Sequence, residues 1–74
     1  MRAPLRADDG AKFYGRVVSV DGGFRASCYA SLQQGDSDYV EAPEHEIFRS
    51  EAEGLDWIRR KAASRGFAEW YNEG

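Results

Sequence analysis

The sequence predicts an α+β fold in which a three-stranded antiparallel meander packs on one C-terminal amphipathic helix. Three observations lead to this fold: aromatic and β-branched residues around an Asp-Gly-Gly turn, a strict apolar–polar alternation after that turn, and a helix-capping pattern near residue 50. Period-two alternation is typical of half-buried strands, and capping residues mark where a helix begins. We therefore predict a single domain over residues 12–74, preceded by a flexible N-terminal tail over residues 1–11.

The first two strands are predicted to form a hairpin over residues 12–32. KFYGRVVSV suits a pleated surface, and the glycines after Asp21 supply the positive φ angles of a tight turn. Alternation in the second strand places one set of residues on the core side: Phe24, Ala26, Cys28, Ala30 and Leu32. The set on the opposite side is Arg25, Ser27, Tyr29 and Ser31.

The length of the turn decides which face of the first strand joins the core, because a slip of one residue reverses every side chain. A three-residue turn pairs Val20 with Phe24 and brings Val18, Arg16 and Tyr14 to the core side. A two-residue turn brings Phe13 and Val17 there instead. We favour the three-residue turn, since two valines then meet the apolar side of the second strand.

The third strand is predicted at residues 39–48, where Pro43 requires an edge position or a bulge. Ser50 and Glu53 then form a capping box that opens a helix. Gly66 has the position of a left-handed C-cap, so the helix is expected over residues 51–65. Its predicted apolar stripe consists of Ala52, Leu55, Ile58, Ala62 and Ala63. Residues 67–74 either form a short fourth strand or pack back on the helix.

Composition narrows the classes of function. The chain has 74 residues, 13 of them acidic and 10 basic, which gives a net charge of −3. Net acidity disfavours binding to nucleic acid, since such binding depends on neutralising phosphates. A single cysteine, Cys28, and a single histidine, His45, permit neither an internal disulfide nor a closed zinc site. We expect no metal, no cofactor and, without an apolar leader or membrane span, a cytoplasmic location.

No residue pattern predicts catalysis. The carboxylate pairs fall in a tail, a turn and an edge strand, where solvated acids are ordinary, whereas general acid–base chemistry needs a pair positioned in a cleft. Cys28 falls on the apolar side of its strand, so we expect an inert, buried thiol. The glycines match no nucleotide-binding motif. An enzyme is therefore not expected.

Small size points to self-association. A domain of this length buries only about 60% of its unfolded surface, so its stability is marginal without a disulfide, a metal or a partner. By elimination we predict a homodimer or another protein partner, and a non-enzymatic protein-interaction module as the function. The alternative is a nucleic-acid-binding or antitoxin-like regulator, since aromatic and arginine side chains on an open sheet face suit single-stranded nucleic acid.

Six residues are candidates for the interface. Arg25 and Tyr29 are predicted on the uncovered face of the sheet. Trp57 is predicted on the side of the helix away from its apolar stripe, with Lys61 beside it, covered either by the chain's own C-terminal aromatics or by a partner. Trp70 and Tyr71, in the C-terminal segment, complete the set.

The chain resembles small bacterial β-β-β-α proteins of the HicB-like and related double-stranded-RNA-binding-like type. The strand KFYGRVVSV, the turn DGG followed by FRASC, and the helix opening SEAEGLDWI carry the resemblance. It implies oligomers and, in some members, toxin binding and a DNA-binding extension. Where such antitoxins have a proline-rich segment containing Gly and Cys, this chain has LQQGDSDYV, and no functional residue is transferred.

Overall fold

The computed structural model describes residues 11–34 and 37–73 and confirms the predicted α+β fold. The elements in chain order are β1 (Lys12–Val20), β2 (Gly23–Gln34), β3 (Ser37–Val40), β4 (Glu44–Phe48), α1 (Glu51–Ser64) and β5 (Tyr71–Asn72). Ala11, the last residue of the predicted tail, is buried in the core. The rest of that tail lies outside the described residues.

The sheet is mixed and has four strand positions. β2 pairs antiparallel with β1 along one edge and with both β3 and β4 along the other. β3 and β4 are thus two halves of the predicted third strand, separated by residues 41–43 at the proline that cannot donate to a ladder. β5 adds to the outer edge of β1 as a short parallel strand, which is one of the two alternatives for residues 67–74. The other alternative describes Phe67 and Trp70, which pack on the core.

The hairpin register corrects the sequence prediction. Val20 pairs with Gly23, so the turn has two residues, Asp21 and Gly22, and the predicted three-residue turn is wrong. Gly22 has φ 82°, a region that favours glycine. Gly23 belongs to the strand, where it pairs with Val20. Glycine is required there because a Cβ would lie 2.4 Å from the carbonyl oxygen of Phe48. The face of β1 that joins the core is therefore that of Phe13, not that of Val18.

Helix α1 begins and ends as its caps predict. Ser50 is the N-cap, and its hydroxyl accepts from the backbone N–H of Glu53 at 3.2 Å. At the C-terminus Gly66 has φ 89°, its N–H donates to Ala63, and the N–H of Phe67 donates to Ala62. These bonds form a Schellman motif.

The core lies between α1 and one face of the β1–β2 hairpin. Its buried residues are Ala11, Phe13, Ala26, Cys28, Ala30, Leu32, Ile58, Ala62 and Phe67. On the helix the stripe is rotated from the prediction: Gly54, Ile58 and Ala62 are buried, whereas Ala52 and Ala63 are exposed. Close packing explains the rotation, since a Cβ on Gly54 would lie 3.1 Å from Val17.

Candidate interaction surface

Within residues 11–34 and 37–73, the one helix packs on a single face of the sheet, and no helix lies over the other face. The side chains of two residues that are paired across neighbouring strands point to the same side of the sheet. The registers therefore place alternate residues of β1 and β2 on this open face, together with Val40, His45, Ile47 and Tyr71. The exposed large hydrophobic residues of the described chain are Val40, Ile47 and Tyr71, each more than half exposed. All three therefore lie on the same face.

A cluster of three tyrosines occupies the middle of the open face. The rings of Tyr14 and Tyr29 stack with their centroids 5.3 Å apart, and Tyr14 meets Tyr71 at 5.6 Å. The hairpin register and the parallel β5 pairing bring these rings together, since Tyr14 is the ladder partner of both other tyrosines. Offset aromatic contacts of this kind stabilise by about 0.5–1.5 kcal/mol beyond the burial of area.

The tyrosine cluster is tied to the C-terminal segment by a polar contact. The Tyr29 hydroxyl donates to Oε2 of Glu73 at 2.8 Å, and this hydrogen bond raises the pKa of the Tyr29 phenol. The ammonium of Lys12 lies 5.8 Å from the centroid of the Tyr71 ring. Both contacts are exposed, so their role is to orient the rings rather than to hold the fold.

Charge is distributed unevenly between this face and the rest of the molecule. Three exposed cations extend from the open face: Lys12, Arg16 and Arg25. Glu73 is the acid that a described contact, its hydrogen bond with Tyr29, places on that face. The chain as a whole has a net charge of −3. The open face is therefore locally cationic on an acidic molecule.

The structure brings three of the six candidate residues together. Arg25 and Tyr29 lie on the open face as predicted, and β5 adds Tyr71 to them. The favoured three-residue turn predicted Tyr14 on the core side, and that position is wrong, because the two-residue turn places Tyr14 on the open face. The signal that fixes it is Gly23, which the backbone of β4 approaches too closely for any side chain.

The other three candidates lie on the covered side of the sheet. Trp57 is half-buried against the core, with its ring centroid 5.8 Å from that of Phe48, so its predicted position away from the core is wrong. Neither the C-terminal aromatics nor a partner is needed to explain its contact. Trp70 is likewise partly buried against the core.

Lys61 belongs to a structural contact between α1 and β4. Its ammonium donates to Glu44 at 3.0 Å and lies 5.6 Å from the centroid of the Trp57 ring. The hydrogen bond to Glu44 raises the pKa of Lys61. Arg65 pairs with Glu41 one helical turn further on. These ion pairs attach the helix to the edge of the sheet, so they account for Lys61 without a ligand.

The remaining chemistry of the described residues is limited. Cys28 is buried, and burial raises the pKa of its thiol to about 11. Over residues 11–34 and 37–73 no group of three or more His, Cys, Asp or Glu side chains converges as metal ligands. Within the same ranges, no helix is long and apolar enough to cross a membrane.

Comparisons with known proteins found no relative of this chain. No family model matches the chain, and neither the curated proteins nor the solved structures contain a match.

Proposed function

We propose that the chain is a non-enzymatic protein-interaction module that self-associates. The observation that supports this proposal is the incomplete cover of the sheet: among the described residues, one helix shields one face and leaves the other open. Exposed large apolar residues concentrated on one surface are typical of interaction sites. The resemblance to HicB-like proteins, which implies oligomers, remains a prediction that points the same way.

The chemistry of the open face fits a macromolecular partner. Tyrosine and arginine are enriched among the residues that dominate binding energy, and both are present there in Tyr71 and Arg25. Val40, Ile47 and Tyr71 lie at separate points of that face, and each adds exposed apolar area to it. A shallow sheet face of this kind suits a broad partner better than a small substrate, which binds in a concave pocket.

Sedimentation equilibrium over a concentration series tests self-association. We expect the mass-average molar mass to rise from that of the 8.3 kDa monomer towards twice that value between roughly 1 μM and 1 mM, the range of weak to moderate affinity. A molar mass that stays monomeric across the series would remove the proposal. Added salt separates the contributions, because contacts between exposed charges weaken on screening whereas apolar and backbone contacts do not.

A second candidate function is the binding of single-stranded nucleic acid on the open face. The specific observation in its favour is the tyrosine cluster flanked by Lys12, Arg16 and Arg25, because bases stack on aromatic rings while cations neutralise phosphates. The acidic composition of the rest of the chain counts against it. Because the chain as a whole is acidic, self-association fits its charge better than nucleic-acid binding does.

Anisotropy of a labelled oligothymidine or oligouridine, titrated at about 50 mM salt, tests this candidate under conditions where charge-driven affinity is greatest. Arg16→Ala is expected to weaken binding severalfold. Arg60→Ala provides the matched control, because it removes the same charge from the exposed outer side of the helix. No binding by the wild-type chain, or equal loss in both variants, would remove the open face as a nucleic-acid site.

A further inference from the structure

We propose that the outer edge of β1, at residues 18–20, binds a second copy of this chain by antiparallel strand pairing centred on Ser19. This inference rests on the proposed self-association and names the surface that carries it. The second copy would extend the sheet beyond β1, beside the two residues of β5. The open face would then continue across both copies.

Backbone direction at this edge follows from one hydrogen bond. The N–H of Glu73 donates to the carbonyl of Gly15 at 2.8 Å, so the polar backbone groups of Gly15 point away from β2 and towards β5. The backbone N–H and C=O groups of alternate residues along a strand point the same way. Those groups of Val17 and Ser19 are therefore also directed outward. β5 ends at Asn72, and among the described residues none pairs with β1 beyond it.

The two edges of the sheet differ in how they are protected. Along β3 and β4 the strand is interrupted by Pro43 and carries Glu44 and Glu46, which are the features that keep an edge from pairing. The β1 edge reads Val-Val-Ser-Val over residues 17–20, with no proline and no charge. β-Branched residues suit strand pairing, so this edge is the one open to another strand.

Self-pairing centred on Ser19 is compatible with the side chains there. Val18 would lie opposite the partner's Val20, and the two copies of Ser19 would exchange a pair of backbone hydrogen bonds. Arg16 falls outside the paired segment, so no like charges are opposed. The parallel register of β5, continued by one residue, places Glu73 beside Arg16. The second copy pairs with β1 beyond Arg16, so it does not compete with the C-terminal segment.

Stacking of two open faces is less favourable on the same argument. It would set Lys12, Arg16 and Arg25 of one copy against the same three cations of the other, and like charges in an interface are destabilising. Edge pairing keeps these cations apart along a wider sheet. Charge therefore favours the edge over the face as the contact between copies.

Amide hydrogen exchange on the wild-type chain tests the edge directly. We expect exchange of the Ser19 N–H to slow at least about tenfold as the concentration rises through the monomer–dimer range, because pairing protects that donor. The N–H groups of His45 and Ile47, which point outward at the β4 edge, provide the control and should exchange at a constant rate. Protection there instead of at Ser19 would overturn the inference.

Ser19→Pro removes the same donor by mutation. The N–H of Ser19 makes no bond to β2, so the monomer is expected to keep its fold, while the dimer dissociation constant rises about tenfold or more. His45→Pro is the matched control, since it removes an outward N–H at the other edge and should leave dimerisation unchanged. Circular dichroism verifies that both variants are folded. The hydrogen-exchange experiment uses the wild-type chain and does not depend on either variant.

The outcomes separate the inference from the proposed function. A wild-type chain that stays monomeric removes both. A wild-type dimer whose Ser19 exchange does not depend on concentration, or a folded Ser19→Pro variant that dimerises equally well, overturns the edge pairing and leaves self-association in place.

Discussion

The two faces of the sheet are built from different kinds of residue. The covered face has Gly15, Ala26, Cys28 and Ala30 along its centre, and α1 lies so close that Ile58 is fully buried. The open face has tyrosines, arginines and valines at the corresponding positions of the same two strands. Strand alternation thus assigns small residues to one side and long, polar-tipped residues to the other.

The difference separates stability from recognition. Small residues on the covered face let the helix backbone approach the sheet, so the core depends on close packing of few side chains. Long side chains on the open face bury little, yet they keep aromatic and cationic groups accessible for a partner. Substitutions on the covered face should therefore change stability, whereas those on the open face should change binding.

The largest expected effect comes from truncating the residue at the centre of the core. Ile58→Ala removes a fully buried side chain and should lower the free energy of unfolding by about 2–5 kcal/mol. Ile47→Ala, the same change on the open face, should cost no more than about 0.5 kcal/mol, because Ile47 is more than half exposed. Urea denaturation of both variants measures the contrast, and equal losses would show that the two faces do not differ in this way.

A somewhat smaller effect is expected where helix and sheet meet most closely. A Cβ on Gly15 would lie 2.7 Å from Cγ2 and 3.0 Å from Cδ1 of Ile58. Gly15→Ala should therefore destabilise the fold by about 1–3 kcal/mol through overpacking.

The double variant identifies the cause of that loss. Ile58→Ala removes both atoms that the new methyl group would meet, so the combined loss should be smaller than the sum of the two single losses by about 1 kcal/mol. Strict additivity would mean that Gly15 is required for another reason, such as its approach to the carbonyl of Ser27.

Local signals in the sequence predicted the elements of this fold, because caps, turns and alternation act over a few residues. Ser50 and Gly66 mark the ends of the helix correctly. Pro43 lies between two edge strands, as its predicted edge position requires, although the third strand was predicted without a break. The β2 alternation correctly assigned Cys28 and its neighbours to the core.

Longer-range contacts decided what the sequence left open. Asp-Gly-Gly is compatible with a turn of two or three residues, and the choice depends on how closely Phe48 of β4 approaches Gly23. The helix stripe was misplaced because glycine counts as neutral in a hydropathy pattern, whereas Gly54 is where α1 touches the sheet. The tyrosine cluster followed from the register, so it could not be assembled before the turn was known.

The covered face should also protect its thiol. Burial raises the pKa of Cys28 to about 11 from an ordinary value of 9.0. As the pH rises, the thiol of Cys28 loses its proton at a lower pH in the unfolded chain than in the folded chain. The contribution of Cys28 to the free energy of unfolding is therefore complete below pH 9 and is lost between about pH 9 and 11. Urea midpoints across that range should fall more for the wild-type chain than for Cys28→Ala, which has no thiol.

Iodoacetamide labelling followed by mass spectrometry gives an independent measure of the same protection. Cys28 should react slowly in the folded chain at pH 9 and rapidly in urea, because the thiolate is the reactive form and the fold suppresses it. Rapid labelling of the folded chain would indicate that the helix opens readily from the sheet.

The smallest effect is expected on the open face, where a single exposed hydrogen bond rather than burial changes a pKa. The Tyr29 hydroxyl donates to the Glu73 carboxylate, which raises the pKa of the phenol above its ordinary value. Glu73→Ala removes both the acceptor and its charge, so the pKa of Tyr29 should return towards that value, and Glu73→Gln, which keeps an acceptor, should return it only in part. Tyrosine ring resonances followed by NMR through alkaline pH report the change, with Glu69→Ala as the control at an exposed acid of the same segment. An unchanged Tyr29 titration in Glu73→Ala would mean that β5 does not hold Glu73 against the tyrosine cluster in solution, and that the open face lacks the order that the covered face gets from packing.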